Sequence, residues 1–322
     1  MSESWHQPIW QQLVERLDAD RVPHGILLSG SPTVGKAAVA ERFCQALLCQ
    51  DRQPGGRACG QCASCRYVAA GSHPDMHRVG LQEDARWLKI DQIRQLSRQA
   101  SLTSSLGRYQ VFIVNPADRL TVSAANAFLK TLEEPRADSV LILIADSIRR
   151  LPITVLSRCQ RFHLPRPSTE AALEWLKRHH EGGRQEHAEA LSFANGLPGR
   201  ALELLQQDLL PIARATRTQL QQVAEEKVSV LQVAAQWFSD HPERRLSWMH
   251  QVLGASCRAH CGVESTLALT VGRDLASLID MIADVERTQM LMDGNLRPEL
   301  LLEGLLVRWQ SNRPDKHGDR LW

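Results

Sequence analysis

No window of the 322-residue sequence approaches the run of about eighteen uninterrupted apolar residues that a membrane-spanning helix needs. The opening residues, MSESWHQPIWQQLVERL, hold no basic stretch followed by an apolar core, the form a secretory leader takes. A soluble, cytoplasmic protein is the expectation. Net charge is nearly absent too: 38 Lys plus Arg against 36 Asp plus Glu leave +2, so no broad positive field drives binding to nucleic acid or an anionic membrane. Aromatics are sparse, two Tyr and six Phe beside eight Trp, which with the near-neutral charge gives a DNA-reading module little support. Contact with DNA would have to be local or shared with partners. Arg94 and Arg98 on the predicted helix 89–100 are the residues in view, and a solvated helix face is the usual explanation for such residues.

What is present fits a globular chain of roughly two or three domains, with 43% apolar residues to build their cores. Short apolar runs at 25–29, 109–114 and 140–145 are bounded by Gly, Pro, Asn or Asp and alternate with helical periodicity. Val39, Phe43, Ala46 and Leu47 mark one helix; Phe128, Leu129 and Leu132 mark another. Strands separated by helices predict a parallel α/β sheet covered on both faces. The Pro-rich joint LPRPSTE, 164–170, ends that pattern, with Ser168 as N-cap of a following helix. Beyond it the apolar residues recur at helical spacing only, as in Leu278, Ile282 and Val285 or Leu302, Leu305 and Trp309. Breaks near GLPGR, 196–200, and Pro211 divide this helical half, and the polar tail 311–322 is expected to fray.

Two motifs carry chemistry. In GSPTVGKAA, 30–38, a strand leads into a helix through Gly30, Gly35 and Lys36, the spacing of a loop that cradles phosphates with backbone N–H groups while its lysine reaches the terminal ones. Hydrolysis needs a Ser or Thr hydroxyl after the lysine to hold Mg²⁺, and a carboxylate at a neighbouring strand end. Ala37 stands at the first position, and Asn115-Pro116-Ala117-Asp118 follows the second strand. ATP hydrolysis by this chain alone is therefore not expected, while the retained loop residues leave nucleotide binding open. In CGQCASC, Cys59, Cys62 and Cys65 have metal-ligand spacing, and Cys49 upstream is the candidate fourth ligand, with Cys44 or His73 as competitors. Four thiolates suit a closed structural Zn²⁺ site that folds the loop over about 49–66.

The series CGQCASC, then GSHPD at 71–75, NAFLKTLEEP at 126–135 and VLSRC at 155–159, resembles bacterial sliding-clamp loader subunits of the AAA+ superfamily over about residues 5 to 205. Phe128 stands where the signature has leucine. The motor subunits of that group, gamma and tau, carry the hydroxyl after the lysine, an acidic pair at the strand end and a sensor arginine in the small helical domain. This sequence departs at all three, with Gly199 at the last position and Arg200 one place late. Trp5 and Trp10 around Pro8, and His73-Pro74-Asp75, are similar to the non-motor kind.

The resemblance implies an AAA+ α/β domain over 1–165 carrying the zinc module, a small helical lid over 166–207 and an all-α collar over 208–322. It implies a heteropentamer with gamma or tau and delta that loads the β sliding clamp onto primed DNA, in which this chain is a stator. Arg158 would be an arginine finger given in trans to a neighbour's ATP, with Ser157 and Cys159 positioning it. Fingers of this kind contribute about 10³–10⁵ in rate. The alternatives are an ATP-hydrolysing gamma or tau type and a zinc-containing DNA-binding protein.

Overall fold

The computed structural model describes residues 3–83, 85–136, 138–263, 265–292 and 296–311, so the expected frayed tail falls almost wholly outside the described residues. The chain divides into two compact units, residues 1–171 and 172–322.

The first unit opens with helix α1 (Gln7–Asp18) and strand β1 (Gly25–Ser29), followed through the glycine loop by α2 (Lys36–Leu48). After the cysteine segment and α3 (Ala63–Ala69) come β2 (Met76–Val79), α4 (Ile90–Ala100), β3 (Gln110–Val114) and α5 (Val122–Glu133). Strand β4 (Ser139–Ala145), the single-turn α6 (Ile153–Leu156) and β5 (Gln160–His163) complete it. The five strands are all parallel, in the order β2-β3-β4-β1-β5. Every residue of β1, β3 and β4 is buried, because helices cover both faces; hence these strands read as continuous apolar runs. One face holds Leu27, Phe112, Val114, Leu141 and Leu143 against Ile93 and Leu96 of α4 and Phe128 and Leu132 of α5. α2 packs on the sheet through contacts with β1, β3 and β4, its Val39 and Phe43 buried.

The joint behaves as its sequence suggests: the Ser168 hydroxyl accepts the Ala171 N–H at 3.2 Å and caps α7 (Thr169–His179). The second unit continues with α8 (Arg184–Phe193), α9 (Pro198–Gln206), α10 (Leu210–Ala224), α11 (Val230–Ser239), α12 (Pro242–His260), α13 (Leu275–Met292) and α14 (Pro298–Ser311). One apolar cluster runs through it, from Leu173 and Leu176 to Leu305 and Trp309. Pro211 does not kink a helix but sits in the first turn of α10, where its missing N–H costs nothing. At its centre lies a charge that periodicity does not reveal. Arg245 is 1% exposed, pairs with Asp240 at 2.6 Å, and donates to the Thr216 hydroxyl and the Gln219 side-chain carbonyl. Gln219 also accepts the Trp237 indole N–H at 2.8 Å, so a polar network ties α10, α11 and α12 together.

Candidate functional site

The glycine loop leaves β1 at the carboxyl end of the sheet, where parallel α/β folds place their ligands. Gly35 has φ of +92°, and a Cβ there would lie 2.5 Å from the His6 ring, so the position demands glycine twice over. The His6 ring Nε2 and the Trp5 indole both donate to the Val34 carbonyl, at 2.6 and 3.0 Å. The two N-terminal side chains thus pack down on the loop, and burial pushes the His6 imidazole below its ordinary pKa.

Lys36 is the residue whose setting matters most. An ammonium has three hydrogens to donate. Lys36 Nζ lies 2.9 Å from the Gly30 carbonyl, 2.6 Å from the Ser31 carbonyl and 2.7 Å from Asp146 Oδ1. The lysine that should reach a phosphate is 4% exposed and fully engaged by its own chain. Asp146 follows the end of β4 and was not singled out by sequence reasoning; a pair 110 residues apart leaves no local signal. After β3 the exposed Asn115 offers no carboxylate, and Asp118, 5% exposed, instead accepts the Ser147 N–H at 3.0 Å. Lys36 is thus engaged by its own chain, and the residue directly after β3 carries no carboxylate. Gly199 and Arg200 lie on α9, with Arg200 exposed.

Arg158 lies at the other end of β1. It follows α6 and precedes β5, and its carbonyl crosses Gly25, the first residue of β1, so closely that a Cβ there would meet it at 2.8 Å. Gly25 is a further requirement that sequence reasoning passed over, visible only as a glycine opening an apolar run. Cys159 is buried against the same glycine, its thiol pushed up to about 12 by burial, which makes it a packing group. The Arg158 guanidinium donates from Nη1 to the Thr154 carbonyl at 2.9 Å and the Ser157 hydroxyl at 3.2 Å. Its Nη2 pairs with Glu133 of α5 at 2.6 Å. Ser157 in turn donates to the Thr154 carbonyl at 3.0 Å. Glu133, in the TLEEP stretch, is the second partner that sequence reasoning did not identify.

The four sulfurs of Cys49, Cys59, Cys62 and Cys65 lie within 4.8 Å of one another. Two sulfurs on a tetrahedral zinc at about 2.3 Å each would be about 3.8 Å apart; the Cys59 and Cys65 sulfurs are 3.9 Å apart. Backbone N–H groups of Cys59, Cys62 and Cys65 donate to the sulfurs of Cys49, Cys59 and Cys62 at 3.2–3.4 Å, the polarity that favours thiolates. Burial pushes Cys62 up, but these backbone bonds and the neighbouring thiols outweigh it and bring it down to about 6. Burial and Cys62 push Cys65 up to about 12. Of the competitors for the fourth place, Cys44 is buried within α2, where burial raises its thiol well above the usual range. His73 is committed elsewhere: its Nδ1 accepts the Asp75 N–H at 3.1 Å, and its Nε2 bonds Ser64, whose hydroxyl donates to the Leu48 carbonyl. Asp75 itself accepts the N–H groups of Ser105 and Leu106 at 2.6 and 2.8 Å. The His-Pro-Asp stretch is thus a strut between the cysteine segment and the loop before β3. Trp10 donates to the Gly55 carbonyl at 3.1 Å and lies edge-on to Phe43, under the Arg42 guanidinium, so it packs α1 onto the same segment.

A family profile described as "DNA polymerase III, delta subunit" matches residues 5–168. The chain is 33% identical to DNA polymerase III subunit delta' of Pseudomonas aeruginosa, covering 95% of this chain and 97% of that one. It is 30% identical to the delta' subunit of Escherichia coli, over 94% of each. DNA polymerase III subunit tau of Bacillus subtilis is 31% identical over 51% of this chain and 28% of its own length. Extended likeness to delta' over nearly the whole length, together with a phosphate loop whose lysine is held by its own chain, places the protein: it belongs to the DNA polymerase III delta' subunit family.

Proposed function

We propose that the chain is the non-motor subunit of a clamp loader, a stator that supplies Arg158 to the ATP site of a neighbouring gamma- or tau-type subunit during loading of a β sliding clamp onto primed DNA. One observation carries the reading. Arg158 lies beside Gly25 at one end of β1 and the loop of Lys36 leaves the other, about 13 Å of strand rise away, so the residue sits at the opposite end of the strand from its own phosphate loop. An arginine fixed by Thr154, Ser157 and Glu133 with no ligand of its own to meet suits a site completed by another chain. Its planar guanidinium matches the charge spread over a transferring phosphoryl group.

In this reading α7–α9 serve as the lid and α10–α14 as the collar that joins the heteropentamer, with delta and gamma or tau as partners. Cys49, Cys59, Cys62 and Cys65 would hold Zn²⁺ in a closed site with no position for substrate, its contribution being the folding of residues 49–66. The motor alternative is disfavoured by Ala37, by the exposed Asn115 and by the engagement of Lys36.

The test is reconstitution of the loader with Arg158→Ala. The expected result is an intact complex, seen by gel filtration, with ATP turnover at the adjoining site and clamp loading both lowered. Wild-type turnover and loading in an intact complex would overturn the assignment.

A further inference from the structure

The Arg158 guanidinium and the Glu133 carboxylate meet at 2.6 Å between two elements of the α/β unit. The two side chains are 33% and 46% exposed, and ion pairs in such settings add little to stability. Yet the pair joins two elements that no turn connects: the end of α5 and the segment after α6. An arginine on its flexible stem samples many rotamers when free. The Thr154 carbonyl and Ser157 hydroxyl engage only Nη1, and both lie within four residues of Arg158, so they move with it. Among the described residues, Glu133 is the one bonded partner that ties the guanidinium to the body of the α/β unit, through a helix whose Phe128 and Leu132 are anchored under the sheet. Among the described residues nothing is bonded to Arg158 Nε–H, which leaves that edge for an incoming oxyanion.

We propose that Glu133 is the positioning residue of Arg158, holding the guanidinium in the orientation in which it meets the neighbour's phosphates. The inference rests on the reading of Arg158 as a finger given in trans. It assigns Glu133 no contact with nucleotide. Its influence falls on the transition state, where misplacement costs rate, and not on ground-state affinity.

The experiment uses the reconstituted complex with Arg158→Ala, Glu133→Gln, Glu133→Asp and the double variant Glu133→Gln/Arg158→Ala, following ATP turnover at the adjoining site. Glu133→Gln is expected to lower kcat about fivefold, the rate equivalent of a ~1 kcal/mol pair, with KM unchanged. Assembly should not change, and the melting temperature of the chain should fall by no more than about 2–4 °C. Glu133→Asp should recover part of the loss, and the double variant should be no slower than Arg158→Ala alone, because without the arginine there is nothing to position. If Arg158→Ala slows turnover while Glu133→Gln does not, the positioning role fails and the finger stands. Additive losses in the double variant would likewise overturn it by showing that Glu133 acts elsewhere. Wild-type turnover with Arg158→Ala removes both.

Discussion

Replacing Asp146 with alanine strips the counter-charge from a lysine that is 4% exposed, while Asp146 itself is 49% exposed and half in water. Hydrogen bonds to charged groups contribute about 1.5–3 kcal/mol when buried. Water at the Asp146 side lowers this, since exposed pairs contribute only about 1 kcal/mol or less. A loss of about 1–2 kcal/mol is expected. At about 2–4 °C per kcal/mol for a unit of this size, the α/β unit should melt about 2–8 °C lower. The same pair decides ligand behaviour, because phosphates must displace Asp146 and two carbonyls before they reach Lys36. Thermal unfolding of the full chain with and without millimolar ATP measures both effects. A ligand at 100 times its Kd would add about 2.7 kcal/mol, an unmistakable rise. The wild-type melting point should not move with ATP. A clear rise, together with an Asp146→Ala variant as stable as wild type, would refute the view that the loop is closed by its own chain.

Three further outcomes follow from the structure. Metal analysis of the purified chain should find one zinc, and Cys59→Ser, which removes the sulfur accepting two backbone N–H groups, should abolish it and expose 49–66 to proteolysis; a Cys59→Ser chain with full zinc would exclude the four-sulfur site. Gly35→Ala should cost about 2 kcal/mol or more in chemical denaturation, since φ of +92° disfavours any Cβ and the His6 ring, bonded to Val34, blocks its place. The pH profile of stability should carry the signature of His6, which burial holds below its ordinary 6.5 against the opposing pull of the Val34 carbonyl and Glu3. As pH falls below 6.5 the unfolded chain takes up a proton that the folded chain refuses, so stability drops towards the lowered folded value, by at most about 1.4 kcal/mol per pH unit. Denaturation midpoints at several pH values should fall less steeply for His6→Gln, the other histidines being common to both; parallel profiles would show that His6 titrates freely.

The sequence alone determined whatever repeats or clusters along the chain. Continuous apolar runs marked β1, β3 and β4 because both faces of that sheet are covered, and helical spacing marked the second half. The cysteine spacing identified three of the four sulfurs and offered Cys49 as a candidate for the fourth, and Ala37 with Asn115 marked departures from a hydrolytic pattern. Strand β2 was not legible, since MHRV at the sheet edge is half polar and only four residues long. Only the tertiary structure decided the partners: Asp146 for Lys36, Glu133 for Arg158, Gly25 for the Arg158 carbonyl, and the Arg245 network among the helices. The reason is physical. Burial of apolar surface is governed by period, which a sequence displays, whereas an ion pair or a close backbone approach is a matter of position in space between residues that may be a hundred apart. The loop motif therefore announced the spacing of a phosphate site, and the fold set its lysine against a carboxylate just past the end of β4 and left Arg158 at the opposite end of the sheet.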